Sequence, residues 1–127
     1  MELKEINKLT ERIIGCAIEV HKNLGPGLVE SIYETALCME MSKAGLQFKK
    51  QVVMPVEYKG VKIGEQRIDV MVEDEVILEL KSSEGIDPLF EAQTLSYLRV
   101  AKKRVGLIIN FNTDVLKRGV KRMIVGR

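Results

Sequence analysis

The sequence predicts an α/β fold, a mixed central sheet flanked by helices, with an additional helix at the N-terminus. Three observations predict it. Two helical stretches precede residue 45, three strand patterns follow in succession up to Lys81, and a helix then leads from Pro88 into an apolar run ending at Asn110. Strands before and after an intervening helix, with both kinds of element carrying apolar faces, are the layers of a mixed sheet covered by helices.

The first helix is expected from Ile6 to Leu24. Ile6, Leu9, Ile13, Ala17, Val20 and Leu24 recur at intervals of three and four, with Asn7 or Thr10 as caps near the start and Gly25 as the stop. His21, the single histidine, falls near its end and reads as a residue favoured by the helix dipole rather than as a ligand or base. Gly25-Pro26-Gly27 breaks the chain, and a second helix is expected from Leu28 to Ala44. Its inward face is expected to hold Val29, Ile32, Ala36, Leu37 and Met39, and Glu30 sits in its first turn, where the dipole stabilises a carboxylate.

A strand is expected over Phe48–Tyr58, with Val52, Met54 and Val56 alternating against polar neighbours; Pro55 suits an edge strand. Lys59-Gly60 turns the chain into a second strand, Lys62 to Glu73, in which Gly64 marks a bulge. Arg67 to Ser82 then reads as a hairpin about Asp74, because Ile68, Val70 and Val72 on one side match Val76, Leu78 and Leu80 on the other. In that register Val72 faces Val76 and Val70 faces Leu78, which sets Asp69 against Glu79 on the opposite face, with Lys81 two residues further on. Like charges directly opposed in a sheet are unfavourable, and a bound divalent cation would account for the pair.

Asp87 followed by Pro88 signals a helix start, and the helix to about Lys103 is expected to bury Leu89, Ala92, Leu95 or Tyr97, and Val100. Gln93 and Tyr97 share one face. Arg104 to Asn110 reads as a buried strand, Asn112-Thr113-Asp114 as a turn, and Val120 to Val125 as a last edge strand.

At 127 residues the chain fits one domain, residues 1–127, with hydrophobic residues at 46% and charged ones at 30%. No apolar run spans a membrane, and MELKEINK lacks a signal-peptide core, so a cytoplasmic location is expected. Cys16 and Cys38 read as small buried hydrophobes. The net charge of +2 conceals an asymmetry: from Arg99 to Arg127 there are nine bases and one acid, Asp114, against eleven bases and seventeen acids before them. A basic end beside an acidic pocket suits a phosphodiester substrate. With one histidine, no C-x-x-C, no Walker loop and no G-x-S-x-G, the chain lacks the parts for zinc hydrolysis, P-loop NTP hydrolysis and serine catalysis.

Asp69, nine intervening residues, then Glu79-x-Lys81 resembles the signature of the PD-(D/E)xK nuclease superfamily, although Ile68 stands where the name has proline. Gly27 to Tyr33 is G-x-x-E-x-x-Y and, with the preceding H-K-N-L-G-P-G, resembles the GxxExxY family of small bacterial and archaeal proteins grouped with that superfamily. Gln93 and Tyr97, as Q-x-x-x-Y behind E-x-K, resemble the added motif of its RecB-like branch. The resemblance implies a restriction-endonuclease-like αβββαβ core and a metal-dependent nuclease acting on DNA with Mg²⁺ or Mn²⁺. It implies Asp69, Glu79 and Glu30 as ligands, completed by the backbone carbonyl of Leu80, with Lys81 to position or deprotonate the attacking water. Gln93, Tyr97 and Tyr33 would contact nucleic acid or orient the site. The other expectation is a catalytically silent domain of the same fold that binds nucleic acid or protein. A chain this small would dimerise or join a partner to grip a duplex.

Overall fold

A computed structural model describes residues 1–126, so Arg127, counted in the basic end, lies outside the described residues. Its elements are α1 (Leu3–Leu24), α2 (Glu30–Lys43), β1 (Phe48–Tyr58), β2 (Val61–Val72), β3 (Val76–Lys81), α3 (Pro88–Ala101), β4 (Val105–Asn110), a 3-10 turn at Leu116–Gly119, and β5 (Val120–Ile124). The five strands form one sheet in sequence order. All neighbours are antiparallel except β3 and β4, and the parallel pair is joined by α3, because a parallel connection must cross the length of the sheet. This is the mixed α/β architecture expected, additional N-terminal helix included.

Both faces of the sheet are covered. On one, Ile6, Ile13, Leu37 and Met41 of α1 and α2 bury Val70, Leu78 and Leu107. On the other, Leu98 of α3 packs with Met71, Ile77 and Ile108. Strand β4 lies between the two layers and all six of its residues are buried, which is why its sequence is apolar without alternation. Gly106 lets α3 come close: a Cβ there would stand 3.2 Å from Thr94 Cγ2 and 3.3 Å from the Ile77 carbonyl.

Four local expectations are corrected. Helix α1 begins at Leu3, ahead of both expected caps; Glu2 is the cap residue, and its N–H donates to Glu5 Oε1 at 3.1 Å. Thr10, inside the helix, donates its hydroxyl to the Asn7 carbonyl instead. Helix α2 turns a different row inward: Val29, Ile32 and Met39 are 62%, 45% and 57% exposed, while Tyr33, Leu37, Cys38 and Met41 are buried. The helix carries apolar residues on both sides, so its pattern does not choose a face. In α3, Leu89 and Ala92 are exposed, and Thr94 and Leu98 take the core positions.

The strand expectations hold more closely. Pro55 lies in an edge strand, and the β1–β2 register slips between Val56–Gly64 and Glu57–Lys62, leaving Ile63 as the extra residue beside Gly64. The side chain of Asp87 accepts the Leu89 N–H at 2.8 Å, capping α3 ahead of Pro88.

Candidate functional site

Strands β2 and β3 pair only at Val70–Leu78, Met71–Ile77 and Val72–Val76. This is the expected register about Asp74. Beyond it β2 stays with β1 while β3 stays with β4, so the two strands part. Asp69 and Glu79 stand at the crotch of this fork. Their side chains replace the missing ladder: the Asp69 N–H donates to Glu79 Oε2 at 3.1 Å, and the Leu80 N–H donates to Asp69 Oδ2 at 2.8 Å. Each carboxylate thus satisfies a backbone donor on the other strand, a need that a buried strand end imposes.

The ladder on the other side of Asp69 is also interrupted. Pairing between β1 and β2 skips the Gln51–Asp69 position, and Gln51 has a φ of +52°, in the left-handed region. The pleat slips there. Val70 belongs to the core under α1 and α2, whereas Ile68 belongs to the core under α3. Two-residue spacing should keep them on one face, so the expected single face for Ile68, Val70 and Val72 is corrected at Asp69.

Burial dominates the electrostatics. Glu79 is only 4% exposed, and its carboxyl is pushed up to about 8 by burial and then by the charge of Asp69, against the opposing pull of the Asp69 N–H and Lys81. Burial also raises Asp69, with the Leu80 N–H and Lys81 opposing and Glu30 adding to the rise. The charge of Glu30, in the first turn of α2, acts on both acids in the same direction as the smallest of these influences. The phenol of Tyr97 is raised by burial, then by Glu79 and Asp69. Lys81 lies on the same side as α3, with Nζ 4.3 Å from the centroid of the Phe90 ring.

The structure therefore gathers Asp69, Glu79, Lys81 and Tyr97 about one opening, with Glu30 near enough for its charge to act on both acids. Gln93 is half-buried on α3, one turn before Tyr97. Tyr33 is elsewhere: it is fully buried, stacks on Phe111 at 4.4 Å, and has no surface with which to touch a nucleic acid. Its hydroxyl donates to the Gly25 carbonyl at 2.5 Å and accepts the Leu28 N–H at 3.1 Å.

Several residues around the opening escaped sequence reasoning. Glu34 accepts a hydrogen bond from Gln51 at 2.9 Å, and its carboxyl is raised by burial and, less strongly, by Asp69. The Ser82 hydroxyl donates to the Leu28 carbonyl at 2.6 Å. Fully buried Asn110 holds the segment after β3, donating to the carbonyls of Ser83 and Gly85 and accepting the Ser83 and Asn112 N–H groups. The available signal was a polar residue closing an otherwise apolar strand. Gly27, Leu28, Val29, Glu30, Ser82 and Asn112 line an open cleft of about 480 Å³ beside these groups.

The basic end does not form one face beside the acids. Because β3 and β4 are parallel, Val105 pairs with Val76 at the closed end of the hairpin, whereas Asn110 pairs with Lys81 at the fork. Lys102, Lys103 and Arg104 precede Val105, which itself lies three strand residues, roughly 10 Å, from the Glu79–Ile108 pair at the fork. Lys103 is paired with Asp74 and, further along, Arg118 with Asp114 and Lys121 with Glu91.

Among the described residues, no group of three or more His, Cys, Asp or Glu is close enough to form a metal cage. The donor chemistry nevertheless fits a hard divalent ion. Asp69 and Glu79 each use one oxygen on a backbone N–H, and the second oxygen of each accepts no hydrogen bond among the described residues. The Leu80 N–H points into the fork, and in an extended strand the carbonyl of the same residue leaves on the same side. Oxygen donors of this kind suit an ion that completes its shell with water.

The family model of the PD-(D/E)XK nuclease superfamily matches residues 7–123. No curated protein and no solved structure matches the chain significantly. A family match over so much of the chain, on a mixed sheet that opens at its acid pair, makes this chain a member of the PD-(D/E)XK nuclease superfamily.

Proposed function

We propose that this chain is a metal-dependent nuclease that hydrolyses phosphodiester bonds of DNA, working in the cytoplasm as a single domain of the GxxExxY kind with the RecB-like Q-x-x-x-Y arrangement. The observation that carries this reading is the fork: two carboxylates, one with its proton affinity raised to about 8, are crowded where the backbone ladder ends. Such crowding costs stability unless positive charge is brought to it.

Asp69, Glu79, Glu30 and the Leu80 carbonyl would hold Mg²⁺ or Mn²⁺. The bound ion would supply Lewis acidity to the attacking water and the leaving oxygen. Lys81 positions or deprotonates the attacking water and offsets the charge that builds on the phosphate. The Tyr97 phenol, whose pKa is raised above its usual value, stays protonated near neutral pH and donates a hydrogen bond to the substrate, with Gln93 beside it. Among the described residues Lys102, Lys103 and Arg104 lie toward the closed end of the hairpin and Arg118 and Lys121 are paired with acids, so gripping a duplex calls for a second copy or a partner protein.

The test is cleavage of labelled single- and double-stranded DNA by wild type and Glu79→Ala, in Mn²⁺ and in chelator. Cleavage by wild type only, and only with metal, is expected. A folded wild type that cuts neither DNA in Mn²⁺ or Mg²⁺ contradicts the reading. The second reading, a silent binding module, is favoured by the seat of Lys81 on the Phe90 ring and the lack of a three-acid cage among the described residues. It predicts DNA binding that chelator leaves unchanged and salt weakens.

A further inference from the structure

We infer that Tyr33 and Ser82 are positioning residues, which together brace the start of α2 against the end of β3 and so hold Glu30 at the fork. The inference rests on the reading of Glu30 as part of a cation site.

The segment before Glu30 does not support itself. Gly25 and Gly27 both adopt positive φ, +69° and +99°; the Gly25 N–H still donates to the His21 carbonyl at 2.9 Å, and among the described residues the next helical hydrogen bond is that of the Ile32 N–H to the Val29 carbonyl. A glycine loop of this kind is flexible unless its backbone groups find partners elsewhere. Here they find them on both sides of Leu28. Its N–H donates to the Tyr33 hydroxyl at 3.1 Å, and its carbonyl accepts from the Ser82 hydroxyl at 2.6 Å. The Tyr33 hydroxyl also donates to the Gly25 carbonyl at 2.5 Å, so one buried phenol closes the loop at two points.

Both braces end at the C-terminal end of the strand that carries Glu79 and Lys81. Ser82 directly follows Lys81. The Tyr33 ring lies flat on Phe111, centroids 4.4 Å apart and planes 4° apart, and the Phe111 N–H donates to the Lys81 carbonyl at 2.9 Å. One path is polar, through Leu28, and the other aromatic, through Phe111. Two contacts at separate points fix an orientation that one would leave free to pivot. The G-x-x-E-x-x-Y word thereby acquires a mechanical content: the glycine bends the loop, the tyrosine ties it down, and the glutamate between them is aimed at the fork.

Calorimetric titration with Mn²⁺ tests the brace directly. Removing a group that orients a ligand typically lowers metal affinity 10- to 100-fold. Ser82→Ala and Tyr33→Phe, which keeps the ring stack, are each expected to weaken binding about tenfold. Ser82→Thr, which keeps the hydroxyl, should bind as wild type does. In a Glu30→Gln background Ser82→Ala should cost nothing further, since the serine acts through Glu30; a merely structural role would give additive losses. Amide exchange at Leu28 should quicken in Tyr33→Phe without metal present. Ser82→Ala that binds Mn²⁺ as wild type does, or that loses equally with and without Glu30, overturns the brace and leaves the nuclease reading standing. A folded wild type that binds no Mn²⁺ overturns both.

Discussion

The two ends of the β2–β3 hairpin share a pair of strands and one register, yet they are opposite in character. At the closed end Val70, Val72, Val76 and Leu78 are fully buried among apolar neighbours, and the backbone is paired rung for rung. At the fork, one residue further along each strand, the rungs stop, two acids face each other, and their side chains hold the backbone in place of the ladder. The difference teaches where stability is made and where it is spent. Apolar burial and backbone pairing hold the closed end, whereas the fork meets its two unpaired backbone donors with ionisable side chains kept out of water, at a cost in stability that neutral acceptors would avoid.

The largest expected effect breaks the closed end. Leu78→Ala empties a fully buried site between helices and sheet and should destabilise the protein by about 2–5 kcal/mol in urea unfolding. At the fork the same kind of experiment should reverse sign. Glu79→Gln keeps an acceptor for the Asp69 N–H and removes the ionisable group, so it should be at least as stable as wild type at pH 7. Loss of several kcal/mol in that variant would make the acid a structural member like its apolar neighbours.

A second prediction sharpens the contrast through pH. The Glu79 carboxyl stands at about 8 in the fold against an ordinary value near 4.5, so the folded state holds a proton that the unfolded chain releases. Stability from this group is therefore fully present below about 4.5, falls as pH rises, and levels off above about 8. Asp69, also raised, adds to the fall in the same direction. Denaturation curves at pH 5, 7 and 9 should show the decline in wild type and a much flatter profile in Glu79→Gln. The smallest effect belongs to the turn: Lys103→Ala removes a 3.6 Å ion pair to an exposed Asp74 and should change stability by less than about 1 kcal/mol.

This contrast also separates what the sequence could express from what it could not. The register about Asp74 was legible because alternation on both strands fixes it, and the start of α3 was legible because Asp87-Pro88 is local chemistry. The acid pair and Lys81 followed from the register. The fork itself was not legible: alternation continues on paper through Ile68, and only the tertiary course of β1 and β3 shows the slip at Asp69. Nor was the inward face of α2, since Val29-Ile32-Met39 and Tyr33-Leu37-Met41 are equally apolar rows and contact with Phe111 and the sheet chooses between them. The basic C-terminal stretch looked like one surface because charge was counted along the chain, and the parallel course of β4 carries Lys102, Lys103 and Arg104 to the far end. Ser82 and Asn110 act on groups 54 and 25 to 27 residues away, a kind of contact that periodicity does not record.

The central claim is that the fork is kept acidic in order to hold a divalent cation. Calorimetric titration of Mn²⁺ into wild type and Glu79→Ala, both first shown to be folded, tests it most directly. One site in wild type that disappears in the variant is the predicted result. Equal binding in the two proteins, or none in either, would contradict it.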